Sequence, residues 1–201
     1  MVIEVNYMNA VEQIVEIYFQ KVRNCFTNAD IKIEYGNNRQ FDLLAYSLIN
    51  KKSYHIESSV THGINWNPTV NALEEKVAYK FFGETRKNLN KSLNTDEAKN
   101  KNYLEQIKKQ YNKYGFDFEK INRVWVLWCV DKLKSNEYYQ KEHNLYLQNK
   151  IHNKTIEILS FRDKIIPELE DVIGTSNYED DILRTISLLL QYQKQTTKKS
   201  N

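Results

Sequence analysis

Apolar residues recur at Val11, Ile14, Val15, Tyr18, Phe19, Val22, Cys25 and Phe26, the three-and-four spacing of an amphipathic helix over residues 9–26. Asn9 suits its N-cap, and Glu12, three residues on, suits a capping box. The period then falls to two. Ile31-Lys32-Ile33-Glu34-Tyr35 alternates as a first strand, and Gly36-Asn37-Asn38 signals a turn. Residues 41–46 and 54–60 predict two more strands, joined by a turn at Asn50-Lys51-Lys52. A helix is predicted from Pro68 or Thr69, with Val70, Leu73, Val77 and Phe81 on one stripe and Gly83 at its end.

Residues 84–102 are polar and rich in lysine and asparagine, which predicts a mobile excursion. Leu104, Ile107 and Tyr111 then mark a helix running to Gly115. Residues 121–130 form the most apolar run of the chain and predict a central strand buried on both faces. Residues 136–149 carry a weaker helical period, and 155–159 predict a last strand. Pro167 starts a short helix ending near Gly174. Asn177 caps a final one, whose Ile182, Ile186, Leu189 and Leu190 turn inward. The whole predicts one α/β domain over residues 1–193 and a disordered polar tail over 194–201.

Composition narrows this picture. With 201 residues, 41% of them hydrophobic, and only two prolines and five glycines, the chain is long enough for a real core and poor in linkers. No apolar run reaches the roughly 18 residues of a membrane span, and the N-terminus lacks the pattern of a signal peptide. A soluble cytoplasmic protein without a membrane partner is therefore expected. Cys25 and Cys129 stand far apart without a partner motif and read as reduced thiols. Lysine and arginine (29) nearly balance aspartate and glutamate (26), so net charge alone does not name a nucleic-acid partner.

Candidate chemistry gathers in residues 37–62. If the hairpin pairs in register, Asp42 near the start of one strand meets Glu57 towards the end of the next. Alternation places His55, Glu57, Ser59 and Thr61 on one face. Trp125 and Trp128 read as core or sheet packing, and His62, His143 and His152 have no metal-ligand spacing.

The order of helix, three-strand meander, helix and strand, with Glu12, Asp42 and Glu57 where they fall, resembles the PD-(D/E)xK superfamily of restriction-endonuclease-like and Holliday-junction-resolvase-like nucleases. The resemblance covers roughly residues 9–130 and departs from the family at one place: Ser59 stands where the motif lysine belongs. It implies a restriction-endonuclease-like mixed sheet flanked by helices and a metal-dependent DNA endonuclease. It further implies Mg²⁺ or Mn²⁺ on Asp42, Glu57 and the Ser58 carbonyl, with Glu12 placing a metal-bound water or a second ion. DNA would be the partner, and a homodimer the simplest way to cut both strands.

Phosphodiester hydrolysis needs an activated water and positive charge at the phosphoryl oxygens, and hard oxygen ligands can hold a divalent ion that supplies both. The family's lysine adds a cation at the water, which a serine hydroxyl cannot supply. At about 100° per residue from Val70, Lys80 falls beside Leu73 at the edge of the apolar stripe, with Lys76 further round. Lys80 is therefore the leading replacement, and related nucleases carry the lysine on this following helix. His55 and Lys52 are the other candidates. Without any such cation the chain would be a catalytically silent nucleic-acid-binding module or subunit, or a scaffold using the fold alone. The lysines of residues 84–113 are the candidates for phosphate-backbone contacts.

Overall fold

In a computed structural model, which describes residues 9–34, 39–60, 70–84, 97–128, 138–141, 144–149 and 153–197, the most apolar run of the chain becomes the middle strand of seven. The elements begin with α1 (Ala10–Lys21), β1 (Cys25–Lys32), β2 (Gln40–Ser47), β3 (Lys52–Ser59), α2 (Val70–Phe82), α3 (Glu97–Lys113) and β4 (Asn122–Leu127). They continue with β5 (Tyr138–Lys141), β6 (Asn144–Asn149), β7 (Lys154–Ser160), a π-helical turn at Phe161–Ile165, α4 (Ile166–Ile173) and α5 (Asp181–Thr197). The sheet order is β1-β2-β3-β4-β7-β6-β5. β4 runs parallel to both β3 and β7, and every other pairing is antiparallel. The sheet is thus mixed: two antiparallel meanders joined through one parallel strand.

Parallel strands need both faces covered, and the core divides accordingly. On one face Leu43, Ala45, Ile56, Val124 and Val126 pack with Val15, Tyr18 and Phe19 of α1, Leu169 of α4 and Leu183 of α5. On the other, Trp125, Ile156 and Ile158 meet Leu73, Val77 and Phe81 of α2, while Leu44 and Ile121 meet Ile107 and Tyr111 of α3. Trp125, Val124 and Val126 are fully buried, as a strand enclosed on both faces requires. The result is an α/β domain with an open mixed sheet between helices, and among the described residues no helix is long and apolar enough to cross a membrane.

Several boundaries differ from the sequence expectation. Cys25 and Phe26 are not the end of the first helix: Asn24 takes a left-handed φ of 53°, which asparagine tolerates, and the chain turns there into β1. Residues 138–141 and 144–149 are paired strands, β5 and β6, where a helix was expected. Their tyrosines and alternating leucines suit a strand, and pairing of β6 with β7 buries Leu147 against Trp125. α3 begins at Glu97, inside the stretch expected to be a mobile excursion. Residues 85–96 of that stretch, Trp66, Cys129, His62, His143 and His152 lie outside the described residues.

The last helix also shifts. Asp180, not Asn177, caps it, its carboxylate accepting the Leu183 N–H at 2.9 Å. This register turns Leu183, Ser187 and Leu190 inward and leaves Leu189 57% exposed. Ser187 escapes a hydropathy reading because it is polar, yet its hydroxyl donates to the Ser176 carbonyl at 2.6 Å and so tolerates burial. The helix runs to Thr197, so the start of the expected disordered tail, Lys194 to Thr197, is helical.

α2 ends at Gly83, whose φ of 73° is left-handed. A Cβ there would lie 2.8 Å from Cβ of Tyr103, so the residue has neither the conformation nor the space for a side chain. Gly83→Ala is expected to cost about 2–3 kcal/mol of stability in denaturant unfolding, from backbone strain and the α2–α3 clash together. A loss below about 0.5 kcal/mol would contradict this packing.

Candidate functional site

The β2–β3 ladder pairs Ser47 with Lys52 through to Leu43 with Ile56 and then stops. Beyond it the alternation of β2 breaks: Leu43 packs with α1, whereas Phe41 and Leu44 both belong to the cluster around Tyr111 of α3. The Ser58 N–H is taken by the side chain of Asp42, Oδ2, at 2.7 Å. The two strands therefore part at Asp42 and Glu57, and their carboxylates meet in the opening.

Lys80 closes this opening from α2. Its ammonium lies 2.6 Å from Glu57 Oε2 and 3.8 Å from Asp42 Oδ2. Glu57 is buried, with its other oxygen, Oε1, 2.8 Å from His55 Nε2. A cavity of about 140 Å³ lies in front, lined by Asp42, Glu57, Lys80, Tyr79, Arg39, Gln40 and Ile33. Arg39 ties β2 to the end of α2, donating to the Tyr79 carbonyl at 2.8 Å and the Glu84 carbonyl at 3.2 Å, with its guanidinium over the Tyr79 ring. α2 is thus fixed where Lys80 must sit.

The two carboxylates share one lysine unequally, and their titration diverges. Burial disfavours a charged Glu57, but Lys80 and His55 outweigh it and hold its carboxyl below the usual range. Asp42 is pushed up to about 7 by burial first and then by the charge of Glu57, against the pull of Lys80 and the Ser58 N–H. Glu57 is accordingly the ionised member of the pair and Asp42 the one that retains a proton near neutrality. Burial also opposes the Lys80 ammonium, yet Glu57 and Asp42 hold its pKa above the ordinary lysine value. It is a permanent cation at working pH.

The remaining sequence candidates fall as follows. Glu12 closes the capping box of α1, accepting the Asn9 N–H at 3.2 Å, and its charge reaches Asp42, where it adds to the rise. It does not join Asp42 and Glu57 in a three-ligand cluster; among the described residues no group of three His, Cys, Asp or Glu side chains forms one. Ser58 stands between Glu57 and Ser59 in β3, paired with Val126, and Ser59 is half-buried opposite Leu127. Lys52 starts β3, five residues from Glu57, about 17 Å along a strand, so it cannot fold over the site. His55 is fully buried behind Glu57 and is not open to the cavity as a base would have to be. Sequence reasoning missed Arg39 and Tyr79 as walls of the site and Tyr111 as the partner of His55; only the proximity of Arg39 to Asp42 in the chain hinted at any of them. No family model, no curated protein and no solved structure matches this chain.

The raised Asp42 gives a stability test with a definite sign. Between its unfolded value near 4 and about 7, the folded protein keeps a proton that the unfolded chain has lost, so stability falls as pH rises through this window and is level above it. The Glu57 contribution runs the other way, present above the ordinary carboxyl range and lost as pH falls through its lowered folded value. Asp42→Asn removes the cost of ionising Asp42 while keeping an acceptor for Ser58. In metal-free buffer at pH 8 the variant should be more stable than the parent by about 1–3 kcal/mol, with the difference vanishing at pH 4. Equal stability at pH 8, measured by denaturant unfolding, would show that Asp42 is not strained by its charge.

Proposed function

We propose that this opening holds a divalent cation, Mg²⁺ or Mn²⁺, and that the protein is a metal-dependent DNA endonuclease with a restriction-endonuclease-like arrangement of the PD-(D/E)xK kind. One observation carries the reading: Asp42, Glu57 and the migrated Lys80 come together where β2 and β3 part, with Lys80 supplying the cation that Ser59 lacks. The order of a leading helix, a three-strand meander, two helices and a central parallel strand supports the same assignment.

The donors suit a hard ion. Two carboxylates buried together with a single lysine leave Asp42 with a proton it would lose at its ordinary pKa, and a second positive charge relieves that conflict. Asp42 and Glu57 would be its carboxylate ligands, with the Ser58 carbonyl as the proposed third. Such an ion supplies Lewis acidity at a phosphoryl oxygen and lowers the pKa of water. Glu57, bonded at both oxygens, keeps one orientation. Lys80 holds its proton through the cycle and adds positive charge beside the attacked phosphate, as a motif lysine would. Asp42 gives up its proton when the cation arrives, so binding should release protons near neutrality.

DNA as substrate and a homodimer belong to the same proposal. In α3, Lys108 and Lys113 pair with Glu105 and Glu34 on the surface, exposed contacts that a phosphate backbone can replace.

With Mg²⁺ or Mn²⁺ the purified protein should cleave duplex DNA. Lys80→Ala should lower the cleavage rate by about 10²–10⁴-fold without weakening metal binding. Ser59→Lys in the Lys80→Ala background should restore part of the loss, because residue 59 shares the Glu57 face. An absence of parent cleavage on duplex, branched and single-stranded DNA with either ion would leave the silent binding module as the correct reading. Parent cleavage unchanged by Lys80→Ala would remove Lys80 from the mechanism.

A further inference from the structure

Behind Glu57 stands a row of buried polar groups that the chemistry above does not use. His55 is fully buried and bonded at both ring nitrogens: Nε2 lies 2.8 Å from Glu57 Oε1, and Nδ1 lies 2.6 Å from the Tyr111 hydroxyl. Its ring is packed among Phe41, Phe81 and Tyr111, at centroid distances of 4.5, 4.8 and 5.6 Å. β3–β4 pairing sets Arg123 directly beside His55. Arg123 is itself buried, donating to the Phe118 carbonyl at 2.9 Å and the Ile121 carbonyl at 3.3 Å, and its positive charge acts on Tyr111.

The donor and acceptor inventory fixes the direction of this row. A carboxylate only accepts, so the proton between His55 and Glu57 sits on Nε2. With its proton on Nε2, a ring enclosed by Phe41, Phe81 and Tyr111 is an uncharged imidazole whose Nδ1 lone pair receives the Tyr111 O–H. The carboxylate end therefore sets the direction of the row.

We infer that His55 and Tyr111, with Arg123 packed beside them, are positioning residues that reserve Glu57 Oε1 and leave Oε2, the oxygen that Lys80 also holds at 2.6 Å, as the one through which a divalent cation would meet Glu57. This rests on the metal-site reading above and deepens it. A one-oxygen carboxylate suits the six-fold coordination of Mg²⁺ or Mn²⁺. Ca²⁺ takes six to eight oxygens and often grips carboxylates through both, so it is disfavoured. The row is therefore a selectivity device as well as a support.

Imidazole ¹⁵N NMR at pH 7.5, together with Mn²⁺ and Ca²⁺ titrations of parent, His55→Phe, His55→Gln and Tyr111→Phe, tests this. The parent should show His55 neutral with its proton on Nε2. His55→Phe keeps a ring in the aromatic cluster but lacks the donor, and should lose about 10–100-fold in Mn²⁺ affinity while shifting selectivity several-fold towards Ca²⁺. His55→Gln retains an N–H near the Nε2 position and should recover most of both. Tyr111→Phe, which keeps the α3 packing, should move the His55 Nδ1 resonance and weaken Mn²⁺ in the same sense, and it serves if His55→Phe does not fold. An imidazolium or an Nδ1–H tautomer in the parent would overturn the inference, as would equal Mn²⁺ and Ca²⁺ affinities across folded variants. If the parent binds neither ion, the metal reading fails, and the tautomer alone then decides whether the row is oriented as argued.

Discussion

A buried carboxylate must be bonded on every side or remain protonated, and the site is arranged to keep Glu57 charged. One of its oxygens takes the Lys80 ammonium at 2.6 Å and the other the His55 Nε2 at 2.8 Å. To bring these groups together the chain needs β3 beside β4, which sets His55 against Arg123, and it needs α2 lying on the same face with Lys80 in its last turn. Arg39, Gly83 and the α2–α3 packing then hold that helix in place. Breaking the bonds on one side of Glu57 would leave a charge uncompensated in the core, at a cost of several kcal/mol.

The same constraint explains why Asp42 differs from its neighbour. A single lysine cannot neutralise two carboxylates, and Glu57, nearer to Lys80 and supported by His55, takes the larger share. Asp42 is left with a pKa of about 7. A folded protein rarely keeps such an arrangement for stability's sake, since an amide at position 42 would be cheaper. The cation proposed for this cavity would relieve that strain.

Much of this was legible in the chain. The apolar run of residues 41–46 and the alternation of 54–60 mark the hairpin, and the register it takes brings Asp42 to Glu57. The helical angle between Leu73 and Lys80 places that lysine at the edge of a buried stripe, and the apolar run around Trp125 gives the central strand. The supporting row was not legible. Tyr111 looks like one more aromatic on a helix stripe, Arg123 like a polar residue at the mouth of an apolar strand, and the bond from Tyr111 to His55 spans 56 residues of sequence. The β5–β6 hairpin was hidden for a related reason. Its residues pattern weakly on their own and become strands through the edge that β7 offers.

The claim on which the rest depends is that Asp42 and Glu57 form one divalent-cation site. Anomalous diffraction from crystals grown with Mn²⁺ tests it most directly. The account predicts a peak between the two carboxylates, about 2.1 Å from an oxygen of each, reached by a single oxygen of Glu57 and absent in Glu57→Gln crystals. A peak elsewhere, or none at saturating Mn²⁺ with the Lys80–Glu57 bond unchanged, would contradict it.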